Sequence, residues 1–217
     1  MYKACIFDLD GTLTDTLESL TYSVNETLKE LDLPCITREQ CRDFVGNGAR
    51  YLLERSLEAS GDDTLSHIEE AMQIYGRVFK QNCTYKLAPY DGIKEMLTAL
   101  KEKGKKLAVL SNKPHLQTLD VVATFFGNDT FQVVQGQKEG VPRKPDPAAA
   151  IMIAEAFGVD QTECVYVGDS DVDMQTGNAA GMESVGVTWG FRPKEVLLEH
   201  GAHHTIDHPE ELITIVN

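Results

Sequence analysis

Apolar residues recur along this chain in two rhythms. The run Ala4-Cys5-Ile6-Phe7 is continuously apolar and stops at Asp8-Leu9-Asp10-Gly11-Thr12, which predicts a buried strand running into a turn. After Asp15 the spacing changes: Leu17, Leu20, Val24, Leu28 and Leu31 recur at helical intervals, and helical patterning continues from about Arg38 to Lys80 with no convincing strand. From Pro89 onward, helix and short apolar strand alternate. Helices are predicted near 92–103, after Pro114, after Pro147 and over 172–180. Strands are predicted at 106–111, 131–134, 163–167 and 184–188, and residues 205–217 read as a last short strand and helix. The alternation predicts an α/β fold, a Rossmann-like doubly wound parallel sheet core with an inserted all-helical cap domain. Residues 1–14 and 84–217 are assigned to the core and 15–83 to the insertion. Its place directly after the carboxylate turn puts the insertion over the active-site end of the sheet.

That turn carries the strongest chemical signal. Asp8 and Asp10 lie two residues apart at a strand end and point the same way, at the edge of the sheet where ligands of open α/β folds bind. Two adjacent carboxylates there require a cation or a shared proton. The plainer reading is an Asp-rich turn. Three further strand ends bear on the choice. Ser111 and Asn112 close one strand, where the hydroxyl and amide could bond an oxyanion or Ser111 could cap the next helix. In Arg143-Lys144-Pro145-Asp146-Pro147, Asp146 is expected as N-cap and Pro147 as first helical residue, a rigid lead-in that would place the Lys144 ammonium. Gly168-Asp169-Ser170-Asp171-Val172-Asp173 ends another buried strand in three acids, more than one helix cap uses. Asp8 and Asp169, on different strands, could grip one hard cation such as Mg²⁺ together with water and a phosphate.

Charge and cysteine content narrow the partners. With 34 acidic and 20 basic residues the formal net charge is -14, which argues against nucleic acid or an anionic membrane. No apolar run approaches a bilayer span, and Met1-Tyr2-Lys3 leads straight into the first strand, so no signal peptide is expected and the cytoplasm is the expected compartment. The five cysteines form no CxxC and read as reduced and structural.

The ordered set DxDGT, Ser111 at the second strand end, Lys144 before Pro145-Asp146-Pro147, and Gly168-Asp169-Ser170 with Asp173 resembles the haloacid dehalogenase superfamily of phosphohydrolases along the whole chain. Phe44-Val45-Gly46-Asn47-Gly48-Ala49-Arg50 and Gly186 to Arg192 resemble its phosphoglycolate phosphatase-like members. The resemblance implies Mg²⁺-dependent hydrolysis of a small phosphorylated metabolite, with 2-phosphoglycolate the leading candidate. In that reading Asp8 is the nucleophile and Asp10 the general acid and base, and Ser111 and Lys144 hold the phosphoryl oxygens. Asp8, Asp169 and the Asp10 carbonyl bind the metal, with Asp173 and Ser170 behind them. Gly11, Thr12 and Asn112 are placed with the phosphate-binding groups. Gly46, Asn47, Gly48 and Arg50 are placed on a substrate carboxylate. Asp171 has no assigned role. Asp10 favours phosphate esters over halides or phosphonates. A β-phosphoglucomutase, pyrophosphatase, nucleotidase or sugar phosphatase shares these core residues, and a phospho-receiver module is the reading from a different class.

Overall fold

The apolar run at the N-terminus is a strand, β1 (Ala4–Phe7), with all of its residues buried. The computed structural model describes residues 1–217. The chain continues through β2 (Thr14–Asp15), α1 (Leu17–Glu30), α2 (Arg38–Phe44), α3 (Ala49–Ala59), α4 (Ile68–Asn82), β3 (Ala88–Pro89), α5 (Ile93–Glu102) and β4 (Lys106–Pro114). It ends with α6 (His115–Phe126), β5 (Val133–Gln137), α7 (Ala148–Phe157), β6 (Cys164–Gly168), α8 (Asp171–Ala179), β7 (Glu183–Val187), α9 (Lys194–Glu199), β8 (His204–Ile206) and α10 (Glu211–Ile215).

Two compact units result, one of Met1–Asp15 with Pro89–Asn217 and one of Thr16–Ala88. The first holds a six-stranded sheet in the order β5-β4-β1-β6-β7-β8, parallel at every pairing. β1 is central because its residues are apolar on both faces. On one face Ala4, Ile6, Ala108, Leu110, Cys164 and Tyr166 form a core with Ala150, Ile153, Ala154 and Phe157 of α7. Such a sheet aligns the C-terminal ends of β1, β4 and β6 side by side, which is where the chemistry collects. β4 runs on to Pro114, beyond the predicted end at Ser111, with a register shift against β5 between Leu110 and Pro114. A buried lysine cements the opposite end: Lys105 Nζ donates to the carbonyls of Tyr2 and Val216, 2.7 Å each.

The second unit is helical. α1 buries Leu17, Leu20, Val24 and Leu28, and α4 buries Ala71, Tyr75, Val78 and Phe79, each an apolar stripe at helical spacing. Thr37 and Gln40 form a reciprocal capping box at the start of α2. The unit extends to Ala88, five residues beyond the boundary read from sequence, because Tyr85 stacks against Tyr22 at 4.6 Å and Leu87 is buried. No helix is long and apolar enough to cross a membrane.

Candidate active site

The site is assembled from the ends of β1, β4 and β6 and the loop after β7. Asp8 remains in the sheet ladder, its N–H donating to Val167 O at 2.9 Å. The chain then winds tightly, with Gly11 N–H on Thr14 O at 2.9 Å and the Leu13 and Thr14 N–H groups both on Leu9 O at 3.0 Å. Gly11 sits at φ 86°, and a Cβ there would lie 2.3 Å from Asp169 Oδ2. Glycine therefore both makes the turn and clears room for the carboxylate of the neighbouring strand.

β4 supplies Ser111, Asn112 and Lys113. Ser111 Oγ accepts from Lys113 N–H at 3.2 Å. The Asn112 amide, read from sequence as an oxyanion donor, spends both ends on the lysine loop: Nδ2 donates to Lys144 O at 3.1 Å and Oδ1 accepts Lys144 N–H at 3.0 Å. Lys144 is followed by a cis peptide bond to Pro145. Its buried Nζ donates to Asp173 Oδ1 at 2.7 Å and stands 2.9 Å from Asp8 Oδ1. Asp8 Oδ1 thus has the Lys144 ammonium beside it and no other partner. Asp146 Oδ1 accepts Ala148 N–H at 2.9 Å, but α7 begins at Ala148 with Pro147 at its N-cap, so Asp146 lies one residue before the cap position expected of it and Pro147 one residue before the first helical position.

Two features of this site go unread in the sequence. The Lys113 side chain, 1 % exposed, puts Nζ 2.9 Å from Asp10 Oδ1 and 3.2 Å from Oδ2. Its signal is alternation, since Ser111 and Lys113 share one face of a strand that ends in polar residues. The second is the loop Thr188–Pro193, quoted above only as a resemblance. Trp189 Nε1 donates to Thr12 O at 3.0 Å and Phe191 N–H to Asp169 Oδ2 at 2.7 Å. Arg192 Nε lies 3.7 Å from Asp171 Oδ1, which gives the unassigned acid a counter-charge.

Burial, against the pull of Lys144 and with the push of Asp173 and Asp10, raises the Asp8 carboxyl to about 7. Burial, then the charges of Asp173 and Asp8, hold Asp169 well above the usual carboxylate range, against the pull of its Phe191 and Thr12 hydrogen bonds. Burial works against the Lys144 ammonium, but Asp173 and Asp8 outweigh it and keep its pKa well above normal. The site is an excess of buried negative charge that calls for a further cation. Carboxylate oxygens of Asp8, Asp169 and Asp173 lie within 4.8 Å of one another. Asp173 is occupied: Oδ1 takes Lys144, and Oδ2 takes the Ser170 N–H at 3.1 Å and hydroxyl at 2.6 Å, as Ser170 caps α8. Asp169 takes one donor per oxygen, Thr12 Oγ1 at 3.1 Å and Phe191 N–H at 2.7 Å, which leaves each oxygen a free lone pair. The Asp8 oxygen, with no partner but Lys144, and the half-used Asp169 carboxylate form an all-oxygen set that fits a small hard cation such as Mg²⁺.

The structure thus brings Asp8, Asp10, Gly11, Thr12, Ser111, Asn112, Lys144, Asp169, Ser170 and Asp173 into one unit. Gly46, Asn47, Gly48 and Arg50 belong to the other. There Gly46 and Gly48 take φ 122° and 87° in the link from α2 to α3. Arg50 donates from Nε to Glu54 at 3.0 Å and from Nη2 to Glu69 at 2.8 Å.

A parallel α/β core with a carboxylate pair at its first strand end, a buried lysine and an acid cluster able to hold a cation fits a carboxylate-centred hydrolase class. Residues 5–187 match the family described as haloacid dehalogenase-like hydrolase. The chain is 32% identical to the phosphoglycolate phosphatase of Colwellia psychrerythraea, over 97% of this chain and 95% of that one. It is also 32% identical to the phosphoglycolate phosphatase of Haemophilus influenzae, over 99% and 98%. A crystal structure of a predicted phosphoglycolate phosphatase from Haemophilus somnus superposes with a TM-score of 0.92 at 27% identity, covering 100% of this chain and 98% of that one. The chain belongs to the haloacid dehalogenase-like hydrolase family.

Proposed function

We propose that the protein is a Mg²⁺-dependent phosphomonoesterase that works through a phosphoryl group carried on Asp8, with 2-phosphoglycolate as its substrate. The carrying observation is Asp8 itself, at a strand end, with the Lys144 ammonium at 2.9 Å and no other partner on that oxygen, a carboxylate held beside a cation and positioned to attack rather than locked in a structural network. The substrate is inferred from the phosphoglycolate phosphatases aligned with nearly the whole chain.

An Asp8 oxygen bonds to phosphorus as the ester P–O bond breaks, and protonated Asp10 gives its proton to the leaving alkoxide. Asp10, now ionised, takes a proton from water, whose oxygen bonds to phosphorus as the bond to Asp8 breaks. Phosphate leaves, and both aspartates return to their starting forms. Lys144 and Ser111 hold the equatorial oxygens as charge spreads over them, while Asp173 and the Asn112 amide keep Lys144 in place. Asp8, Asp169 and the Asp10 carbonyl would hold Mg²⁺, with Gly11 and Thr12 shaping the turn beside it; the ion supplies charge neutralisation at the transferring group.

Phosphate release from 2-phosphoglycolate, with no acceptor sugar present, tests the reading. Asp8→Asn should abolish turnover and phosphoenzyme formation while the circular dichroism spectrum is kept, because the amide has nearly the same volume and no nucleophilic charge. Turnover near the wild-type rate in Asp8→Asn refutes the mechanism, and a strict need for an acceptor sugar turns the assignment to a mutase.

A further inference from the structure

The Lys113 ammonium stands at the general acid and has no part in the mechanism above. It is held tightly: the residue's N–H donates to Ser111 Oγ at 3.2 Å, its carbonyl accepts Thr118 Oγ1 at 3.2 Å, and its side chain is 1 % exposed. Its Nζ touches both Asp10 oxygens. We infer that Lys113 is a specificity-determining residue that reads an anionic group on the carbon next to the ester oxygen, the carboxylate of a 2-phospho-acid; this rests on the phosphatase reading of Asp10.

The argument is one of reach. To protonate the leaving group, an Asp10 oxygen must come within about 2.5–3.0 Å of the ester oxygen. Lys113 Nζ lies 2.9 Å from that same carboxylate, so the ammonium sits no more than about 6 Å from the ester oxygen. In a 2-phospho-acid the carboxylate oxygens lie three bonds from the ester oxygen, roughly 3 Å away at about 1.5 Å per bond. An ammonium–carboxylate contact adds about 2.7–2.9 Å. The two distances close on one another. An uncharged substituent at that carbon, even a hydroxyl that can accept a hydrogen bond, offers the ammonium no opposite charge, so Lys113 favours substrates by charge at one position rather than by size. Both candidate readers are already ion-paired, Arg50 to Glu54 and Glu69 and Lys113 to Asp10; the difference is that the partner of Lys113 is the carboxylate that must approach the ester oxygen.

The Mg²⁺-loaded enzyme is assayed on 2-phosphoglycolate and on 2-hydroxyethyl phosphate, which has the same chain length and no carboxylate. Wild type should prefer 2-phosphoglycolate in kcat/KM by tenfold or more. Lys113→Gln should collapse that preference ten- to a hundredfold, chiefly through KM, and Lys113→Arg should restore part of it. Should Lys113→Gln turn over too slowly to measure, calorimetry decides: Asp8→Asn should bind 2-phosphoglycolate the more tightly, and Asp8→Asn/Lys113→Gln should bind both esters alike. An undiminished preference without Lys113 overturns the proposal, as does equal loss on both esters or a collapse produced by Arg50→Ala and not by Lys113→Gln. Equal wild-type hydrolysis of both esters overturns it while the phosphatase reading stands; hydrolysis of neither refutes the phosphatase reading itself.

Discussion

Replacing Gly190 by alanine puts a methyl group where Asp169 already is. The new Cβ would stand 2.2 Å from Asp169 Cβ and 2.6 Å from Cγ, more than about 1 Å inside the usual carbon–carbon separation. Asp169 has nowhere to go. It is 1 % exposed and follows β6, which lies between β1 and β7. The loop is the softer side, yet moving it lifts the Phe191 N–H from Asp169 and the Trp189 indole from Thr12. Either movement spoils the aim of the carboxylate proposed above as a Mg²⁺ ligand. Overpacking on this scale costs about 1–3 kcal/mol, and loss of the groups that orient a metal ligand lowers affinity about 10- to 100-fold. Isothermal titration of the metal-free variant with Mg²⁺ should show the dissociation constant raised by that factor. The far-UV spectrum should be unchanged and the metal-free Tm lowered by roughly 2–12 °C at this chain length. A folded Gly190→Ala protein that binds Mg²⁺ as tightly as wild type refutes the idea that this loop aims Asp169.

Acidity should oppose metal binding. With Asp8 pushed from its usual 3.8 to about 7, Mg²⁺ must displace a proton below pH 7, so the apparent dissociation constant should be about tenfold weaker at pH 6 than at pH 8; a flat profile counts against the shift. For the same reason the metal-free folded chain binds more protons than the unfolded chain between about pH 4 and 7, so the contribution of Asp8 to Tm should fall as pH rises through that window and level off above it. Lys105→Met removes two charge-assisted hydrogen bonds to the carbonyls of Tyr2 and Val216. It should cost about 2 kcal/mol, read as a Tm lower by several degrees with kcat/KM unchanged, and an unmoved Tm would show that those carbonyls are as well served by water.

The central strands β1, β4 and β6 are legible because each holds an apolar run that ends abruptly, and the same abrupt endings mark Asp8, Asp10, Ser111 and Asp169. β5 is less so. It is expected over 131–134 and occupies Val133–Gln137, because Phe131 turns inward against Phe7 at 6.4 Å and Phe126 at 5.8 Å instead of joining the ladder. α9 leaves no readable period, being six residues long with only Leu197 buried. In the site, local patterns show which residues end a strand but not what they meet there. Lys113 finds Asp10 across 103 positions and Trp189 finds Thr12 across 177, pairings that exist only once the sheet order is set. The partner of the Asn112 amide is hidden for the same reason, being the Lys144 peptide, 32 positions on.

Trp189 is the chain's single tryptophan. Its indole N–H is tied to Thr12, the residue that also donates to Asp169, and Tyr90 lies near its ring at 6.5 Å. All tryptophan emission from this protein therefore originates one hydrogen bond away from the segment that carries Asp8 and Asp10. Any change in how Thr12 or Asp169 is held alters the polarity and the hydrogen bond of that one fluorophore, so the enzyme carries its own optical gauge of site loading, readable in stopped flow without a label.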